Sequence, residues 1–261
     1  MIATPSALHA EQAIAALERG LPVFCQKPLG ITAAETRAVV AAARRADRLL
    51  GVDFCYRELA AARKLKTVVE TGAIGSVFAA DLVFHNAYGP DKEWFYDLQL
   101  AGGGCVIDLG IHLVDLALWV LGFPRVDEVA ARLFHAGRPL SHERVGEDYA
   151  VVDLTLAGGA ALRLACSWNL HAGRDSVIEA TFHGTDGGVS LRNVGGSFYD
   201  FVADRFSGTS RTRLSEPPDD WGGRAAIAWA QRVGSGERFD ASAERLVEVS
   251  EVVDRIYGRS A

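Results

Sequence analysis

Asp108, His112 and Asp115 stand at i, i+4 and i+7 in a stretch, Cys105 to Leu121, that is otherwise almost entirely apolar. On a helix the three share one stripe. Buried ionisable groups are costly unless paired or put to use, so the stripe marks either a self-satisfied pair in a core or a site. An aspartate one turn before a histidine can orient the imidazole and tune its basicity, which is general-base chemistry near neutral pH. A second feature is Gln26-Lys27-Pro28, directly after apolar Val23-Phe24-Cys25. Lysine is scarce here, at four of 27 basic residues. The proline keeps Lys27 out of the helical region, which holds it extended where a strand stops, the place where open α/β sheets bind ligands. Taken by itself the tripeptide favours a surface lysine beside a turn proline. A third is the aromatic loop Tyr88 to Tyr96, which includes Trp94 and leads into Gly102-Gly103-Gly104. Aromatic faces there suit the apolar face of a sugar ring, and equally suit domain contacts. Cys105, near the helix start, reads as an activated thiol or as a small buried hydrophobe.

Absences narrow the chemistry. The sequence contains no Gly-x-Ser-x-Gly, no Walker-type Gly-Lys-Ser/Thr and no Gly-x-Gly-x-x-Gly, which removes support for an esterase or a P-loop NTPase. His135, His142 and His171 show no ligand spacing to His112, and no Cys-x-x-Cys occurs, so no metal site is expected. The net charge of −6 argues against nucleic acid or an anionic membrane as the main partner. The run Cys105 to Leu121 falls short of the roughly 20 residues of a span and carries Asp108, His112 and Asp115. With no secretory signal and four cysteines read as free thiols, the expected compartment is the cytoplasm.

The elements that must position these residues change character along the chain. Ser6 to Arg19 has helical apolar spacing closed by Gly20; Leu21 to Cys25 and Leu49 to Phe54 are short apolar strands. Thr32 with Glu35 reads as a capping box opening a helix to about Asp47. A helix between two such strands is a βαβ unit and implies a parallel sheet. After Gly75 come strand candidates Val77–Phe84, Val126–Phe134, Tyr149–Leu156, Ala160–Leu170 and Ser176–His183, an antiparallel sheet with one covered face. Further helices are expected at Cys105–Leu121, about Gly223–Val233 and Ala241–Tyr257.

In this order, Ile2-Ala3-Thr4-Pro5…His9, Gln26-Lys27-Pro28 and Gly102 to Asp115 resemble the Gfo/Idh/MocA family (glucose–fructose oxidoreductase, inositol dehydrogenase, rhizopine catabolism). The first resembles that family's fourth-strand end and following helix, the second its Glu-Lys-Pro signature, the third its Gly-Gly-Gly…Asp-x-Gly-x-His-x-x-Asp helix. The likeness runs from residue 1 to about Trp168. It implies an α/β plus α+β fold: a truncated Rossmann-type parallel half-sheet in residues 1–56, then an α+β domain with a large, mainly antiparallel sheet in 57–261. It also implies an NAD(P)-dependent oxidoreductase acting on a sugar, cyclitol or related polyol hydroxyl. In that reading Lys27 hydrogen-bonds the reacting hydroxyl, Asp108 orients His112, and His112 removes the hydroxyl proton while hydride leaves for the nicotinamide. Thr4, Pro5, His9, Gln26, Lys27 and Arg57 would lie along NAD or NADP. Tyr88, Trp94, Asp108, His112 and His171 would touch substrate.

Two departures qualify the likeness. Gln26 stands where the family has glutamate, and the chain starts at the family's fourth strand, without the Gly-rich pyrophosphate turn. The expectation is therefore an N-terminally truncated enzyme that binds dinucleotide weakly. The alternatives are a non-catalytic descendant serving as a binding or assembly module, and a lyase or hydrolase using NAD non-stoichiometrically. A homodimer or homotetramer is expected through the sheet face bearing Val151, Thr155, Ala165, Ser167 and Val177 among few charges, the face through which the family typically pairs.

Overall fold

The computed structural model describes residues 1–140 and 145–259, so His142 lies outside the described residues. Strand β1 (Val23–Cys25) pairs in parallel with β2 (Leu50–Val52), and Ile2 bridges Cys25 in parallel on the other side. All three residues of β1 are buried, which is why it reads as an unbroken apolar run. Helix α1 (His9–Glu18) follows a 3₁₀ turn, Ser6–Leu8. Helix α2 (Ala33–Ala46) begins at Thr32, whose Oγ1 accepts the Glu35 N–H at 3.2 Å, and ends at Asp47 in the left-handed region. The capping box is shifted by one residue: the Glu35 carboxylate reaches past Thr32 to the N–H of Ile31, at 2.8 Å.

Helix α3 (Ala60–Glu70), which the sequence reading passed over, buries Ala61, Ala62 and Leu65 on one face. It opens the second unit, a nine-stranded sheet made of β3 (Val77–Asn86), β4 (Val126–His135), β5 (Arg138–Pro139), β6 (Tyr149–Leu156), β7 (Ala161–Ser167), β8 (Ser176–Gly184), β9 (Gly187–Asn193), β10 (Phe201–Ser207) and β11 (Ser210–Ser215). The order is β11-β10-β9-β8-β3-β7-β6-β4-β5. Among the described neighbouring strands of this sheet only β3 and β7 pair in parallel, because the helical segment after β3 sends the chain to the far side of the sheet before it returns. Strands β9 to β11 and the short β5 were not anticipated, and β8 turns into β9 at Thr185-Asp186.

Leu82, Leu162 and Phe182 lie on the covered face of this sheet, with almost no exposure, and Phe84, Leu164 and Cys166 continue it. Against it lies a segment starting with α4 (Leu98–Ala101), passing through a π-helical turn, Val106–Gly110, and running into α5 (Ile111–Val120). Because α4 extends it, Leu98–Val120 is long and apolar enough to span a membrane, contrary to the shorter run read from sequence. Yet 89% of its most apolar window is buried inside the protein, as befits a core helix. Helix α6 (Arg224–Gly234) covers β2, and α7 (Arg245–Ile256) joins the two cores. Val247 of α7 packs with the first sheet, while Val249, Val252 and Ile256 pack with the second. Asp254 accepts the N–H of Ala33 at 2.7 Å, fixing α7 to the start of α2.

On the other face, Phe134, Tyr149, Ser167, His85 and Val177 form one cross-strand row and Val151, Ala165 and Val83 lie in the next. The row after that is charged: Asp153, Arg163 and Asp81 stand side by side, with Arg163 3.7 Å from Asp153. The face is thus richer in charge than its apolar residues led the sequence reading to expect.

Candidate active site

A cleft of about 300 Å³ lies at the carboxyl ends of the parallel strands, closed on the other side by the start of the π turn. Lys27, Asp108, Trp94 and Lys92 line it, together with Thr4, His9 and Gln26. The Lys27 Nζ donates to Asp108 Oδ1 at 2.6 Å and to the Asp108 main-chain oxygen at 2.7 Å. Trp168 Nε1 donates to the other carboxylate oxygen at 3.1 Å. An ammonium carries three N–H groups; two are engaged by Asp108, leaving one for a ligand. A larger cavity, about 460 Å³, lies between α7 and the start of β4; its Arg245 and Glu248 pair with each other, and none of the residues above lines it.

Asp108 does not hydrogen-bond His112, which corrects the expected orienting pair. Its two carboxylate oxygens are taken instead by Lys27 and by Trp168, both distant in sequence. His112, expected in the cleft with Lys27 and Asp108, does not line it: it is 8% exposed, its ring is set edge-on to Tyr56 with centroids 5.0 Å apart, and its Nδ1 is buried without a partner among the described residues. Burial first, and the charge of Lys27 second, hold its pKa well below 6.5, so the ring is a neutral imidazole. Asp115 is gripped by both Arg57 Nε, at 2.8 Å, and Arg57 Nη2. Burial raises the Asp115 pKa, and the guanidinium opposes that rise. The stripe thus splits into three residues with three separate environments.

Arg57 was expected near the nicotinamide. It is held instead by Asp115 and lies over the rings of Phe54 and Phe123, and it does not line the cleft. His9 lines the cleft but is 1% exposed, with both ring nitrogens on main-chain oxygens, Pro28 at 2.7 Å and Thr4 at 2.8 Å. It joins the two strand ends rather than facing a ligand. Thr4 directs its hydroxyl to Gln12, and Pro5 precedes the first 3₁₀ turn. Gln26 donates to Asp53 at 2.8 Å and so ties the ends of β1 and β2. Of the aromatic loop, Trp94 reaches the cleft, whereas Tyr88 is exposed beside Phe198 and Tyr96 sits against Trp168. His171 is exposed and does not line the cleft.

Sequence reasoning missed Lys92, although a second scarce lysine inside the aromatic loop was a usable signal. Cys105 is fully buried and burial pushes its thiol well up, so the hydrophobe reading applies. No group of three or more potential metal-ligating side chains occurs among the described residues. The glycine triplet serves close approach: a Cβ at Gly102 would meet the Ile31 side chain, at Gly103 the Tyr257 hydroxyl and at Gly104 the Glu147 backbone.

A parallel sheet with a strand-end cleft, followed by a large mainly antiparallel sheet whose buried helix brings an aspartate to the strand-end lysine, defines a two-part oxidoreductase fold. Residues 1–54 match the family model described as "Oxidoreductase family, NAD-binding Rossmann fold", and residues 62–190 match the "GFO/IDH/MocA C-terminal domain". The chain belongs to the Gfo/Idh/MocA oxidoreductase family. It is 31% identical over 201 residues to the D-glucoside 3-dehydrogenase of Escherichia coli K12, covering 73% of this chain and 57% of that protein. To the levoglucosan dehydrogenase of Pseudarthrobacter phenanthrenivorans it is also 31% identical, with 72% and 53% covered. The chain thus spans about half the length of these relatives. Among solved structures, an oxidoreductase domain protein from Kribbella flavida superposes with a TM-score of 0.82 at 26% identity, covering 98% of this chain and 76% of that one. Levoglucosan dehydrogenase in complex with NADH and levoglucosan gives a TM-score of 0.81 at 25% identity, covering 98% and 76%.

Proposed function

We propose that this chain carries the substrate-binding and proton-transfer side of an NAD(P)-dependent dehydrogenase that oxidises a hydroxyl of a sugar, cyclitol or related polyol. The observation that carries the reading is the Lys27 ammonium: two N–H groups are fixed by Asp108 and the third is left at a strand-end cleft that Trp94 also lines. The cleft fits the nicotinamide end of a dinucleotide in place, at the carboxyl ends of parallel strands, and in size. When bound, the nicotinamide supplies the electron-pair acceptor.

The residues do the rest. Lys27 donates to the hydroxyl oxygen and stabilises negative charge growing there. Neutral His112, which does not line the cleft but lies near enough to Lys27 to feel its charge, accepts the hydroxyl proton, and because burial and Lys27 disfavour its charged form it then gives that proton up to water. Trp94 offers an apolar face to the ring carbons. The sugar class is further supported by the relatives, a glucoside dehydrogenase and a levoglucosan dehydrogenase by name.

Dinucleotide binding by these 261 residues is weak in this reading, because no Gly-x-Gly-x-x-Gly turn is among them to present N–H groups to a pyrophosphate. We also place the protein in the cytoplasm, where four free thiols persist, and pair it with a second copy through the open sheet face. A screen of sugars and cyclitols with excess NAD or NADP, following reduced cofactor, tests the enzyme reading. Wild type is expected to oxidise at least one compound and K27M none; K27M activity equal to wild type removes the lysine from the mechanism.

A further inference from the structure

The first turn of a helix has four N–H groups with no partner inside the helix. In the segment leading into α5 these are the N–H groups of Gly104, Cys105, Val106 and Ile107, and all four go to two residues distant in sequence. Glu147, 2% exposed, accepts Gly104 at 3.1 Å and Val106 at 2.8 Å on its carboxylate, and its main-chain oxygen accepts Cys105 at 2.8 Å. Tyr257, directly after α7, accepts the Ile107 N–H at 3.1 Å and donates its hydroxyl to Glu147 Oε1 at 2.7 Å. Asp108 is the next residue, and its N–H makes the first bond inside the helix, to Gly104 O at 3.2 Å.

A carboxylate suits this place because the N–H groups of a helix start carry partial positive charge. Burial raises the Glu147 pKa while the donated hydrogen bonds oppose the rise, and burial beside Glu147 keeps the Tyr257 hydroxyl protonated. Neither residue lines the cleft. What they hold is the entry to the π turn, and Asp108, the third residue of that turn, meets Lys27 from there. The glycine triplet is the matching half of the device, since side chains at Gly103 or Gly104 would occupy the space of Tyr257 and Glu147.

We infer that Glu147 and Tyr257 are positioning residues that set where the Asp108 carboxylate stands, and through it Lys27, so that the end of α7 governs the geometry of the cleft. Calling the cleft an active site rests on the function proposed above, but the test does not use turnover. Trp168 Nε1–H donates to Asp108 Oδ2, so its indole resonance reports the position of that carboxylate. In ¹H–¹⁵N spectra, with W168F assigning the peak among the five indoles, E147Q and Y257F are expected to move the Trp168 signal while those of Trp221 and Trp229 stay. I74V, a buried change at the other end of the large core, controls for general loss of stability and is expected to leave the Trp168 signal in place. Y257F deletes a single oxygen and carries the test if E147Q does not fold. An unmoved Trp168 signal in the folded variant, or an equal movement in I74V, overturns the positioning role and leaves Glu147 and Tyr257 as stabilisers only.

Discussion

Lys27 acts on His112 through charge. The ammonium, fixed by Asp108, lies close enough to His112 to add to burial in holding the imidazole neutral. This has a measurable consequence for stability. In the unfolded chain His112 titrates near 6.5; folded, it does so well below. Below about pH 6.5 the unfolded state therefore binds a proton that the folded state refuses, and stability falls as pH drops; above that both forms are neutral and the contribution is flat. Burial lowers His85 in the same sense, whereas Asp115 and Glu147 are raised and push the slope the other way at lower pH. The difference between wild type and H112F isolates the His112 share: urea midpoints of H112F should fall less between about pH 7 and pH 5.5, and an unchanged slope would show that His112 titrates normally when folded. Lys27, Asp108 and Trp94 were legible in the sequence because strand ends and aromatic loops have local signatures. The Asp108–His112 pairing was misread because the groups that claim the Asp108 carboxylate, Lys27 and Trp168, are far away in sequence, and spacing along one helix does not report them. Arg57 was misplaced because its partner, Asp115, had been assigned to the same stripe as the chemistry.

At the scale of elements, the segment from Gly102 to Val120 does two jobs, filling the core and presenting Asp108. Its glycines make this possible, and G104A tests that. The added Cβ would press on the Glu147 backbone, an overpacking cost of about 1–3 kcal/mol. The expected result is a lower urea midpoint for G104A than for T32A, whose lost cap on α2 costs about 1 kcal/mol; equal midpoints would mean the Gly104–Glu147 approach has room to relax. The parallel β1–β2 pair, α2 with its cap and the five central strands followed from apolar runs and alternation. Helix α3 was readable from Ala61, Ala62 and Leu65 but is rich in charged residues, and β10 and β11 carry arginines where alternation would show apolar residues. Asp204 there is buried under Arg211 at 2.5 Å and Arg213 at 2.6 Å, a polar arrangement that hydrophobic periodicity does not report. Glu147 and Tyr257 were invisible for a different reason: their partners are backbone N–H groups, which leave no mark in sequence.

The whole molecule joins a short parallel sheet to a wide one through α7, and leaves the outer face of the wide sheet open with rows of half-buried apolar residues beside charged ones. Light scattering at micromolar concentration is expected to give at least twice the 28.0 kDa chain mass; a monomer mass with no concentration dependence contradicts pairing through that face. Titration of NADH by fluorescence should show weak binding, and sub-micromolar affinity would mean the strand-end cleft suffices without a pyrophosphate turn. The most direct test of the central claim, that this cleft oxidises a sugar or polyol hydroxyl with His112 as proton acceptor, is the turnover of wild type and H112A on the best compound from a sugar and cyclitol screen. The cofactor is raised until the rate saturates, so that weak binding does not mask the chemistry. The account predicts a loss of about 10²–10⁴-fold in kcat for H112A with KM little changed; wild type that oxidises none of the compounds at saturating cofactor, or H112A turning over as fast as wild type, would contradict it.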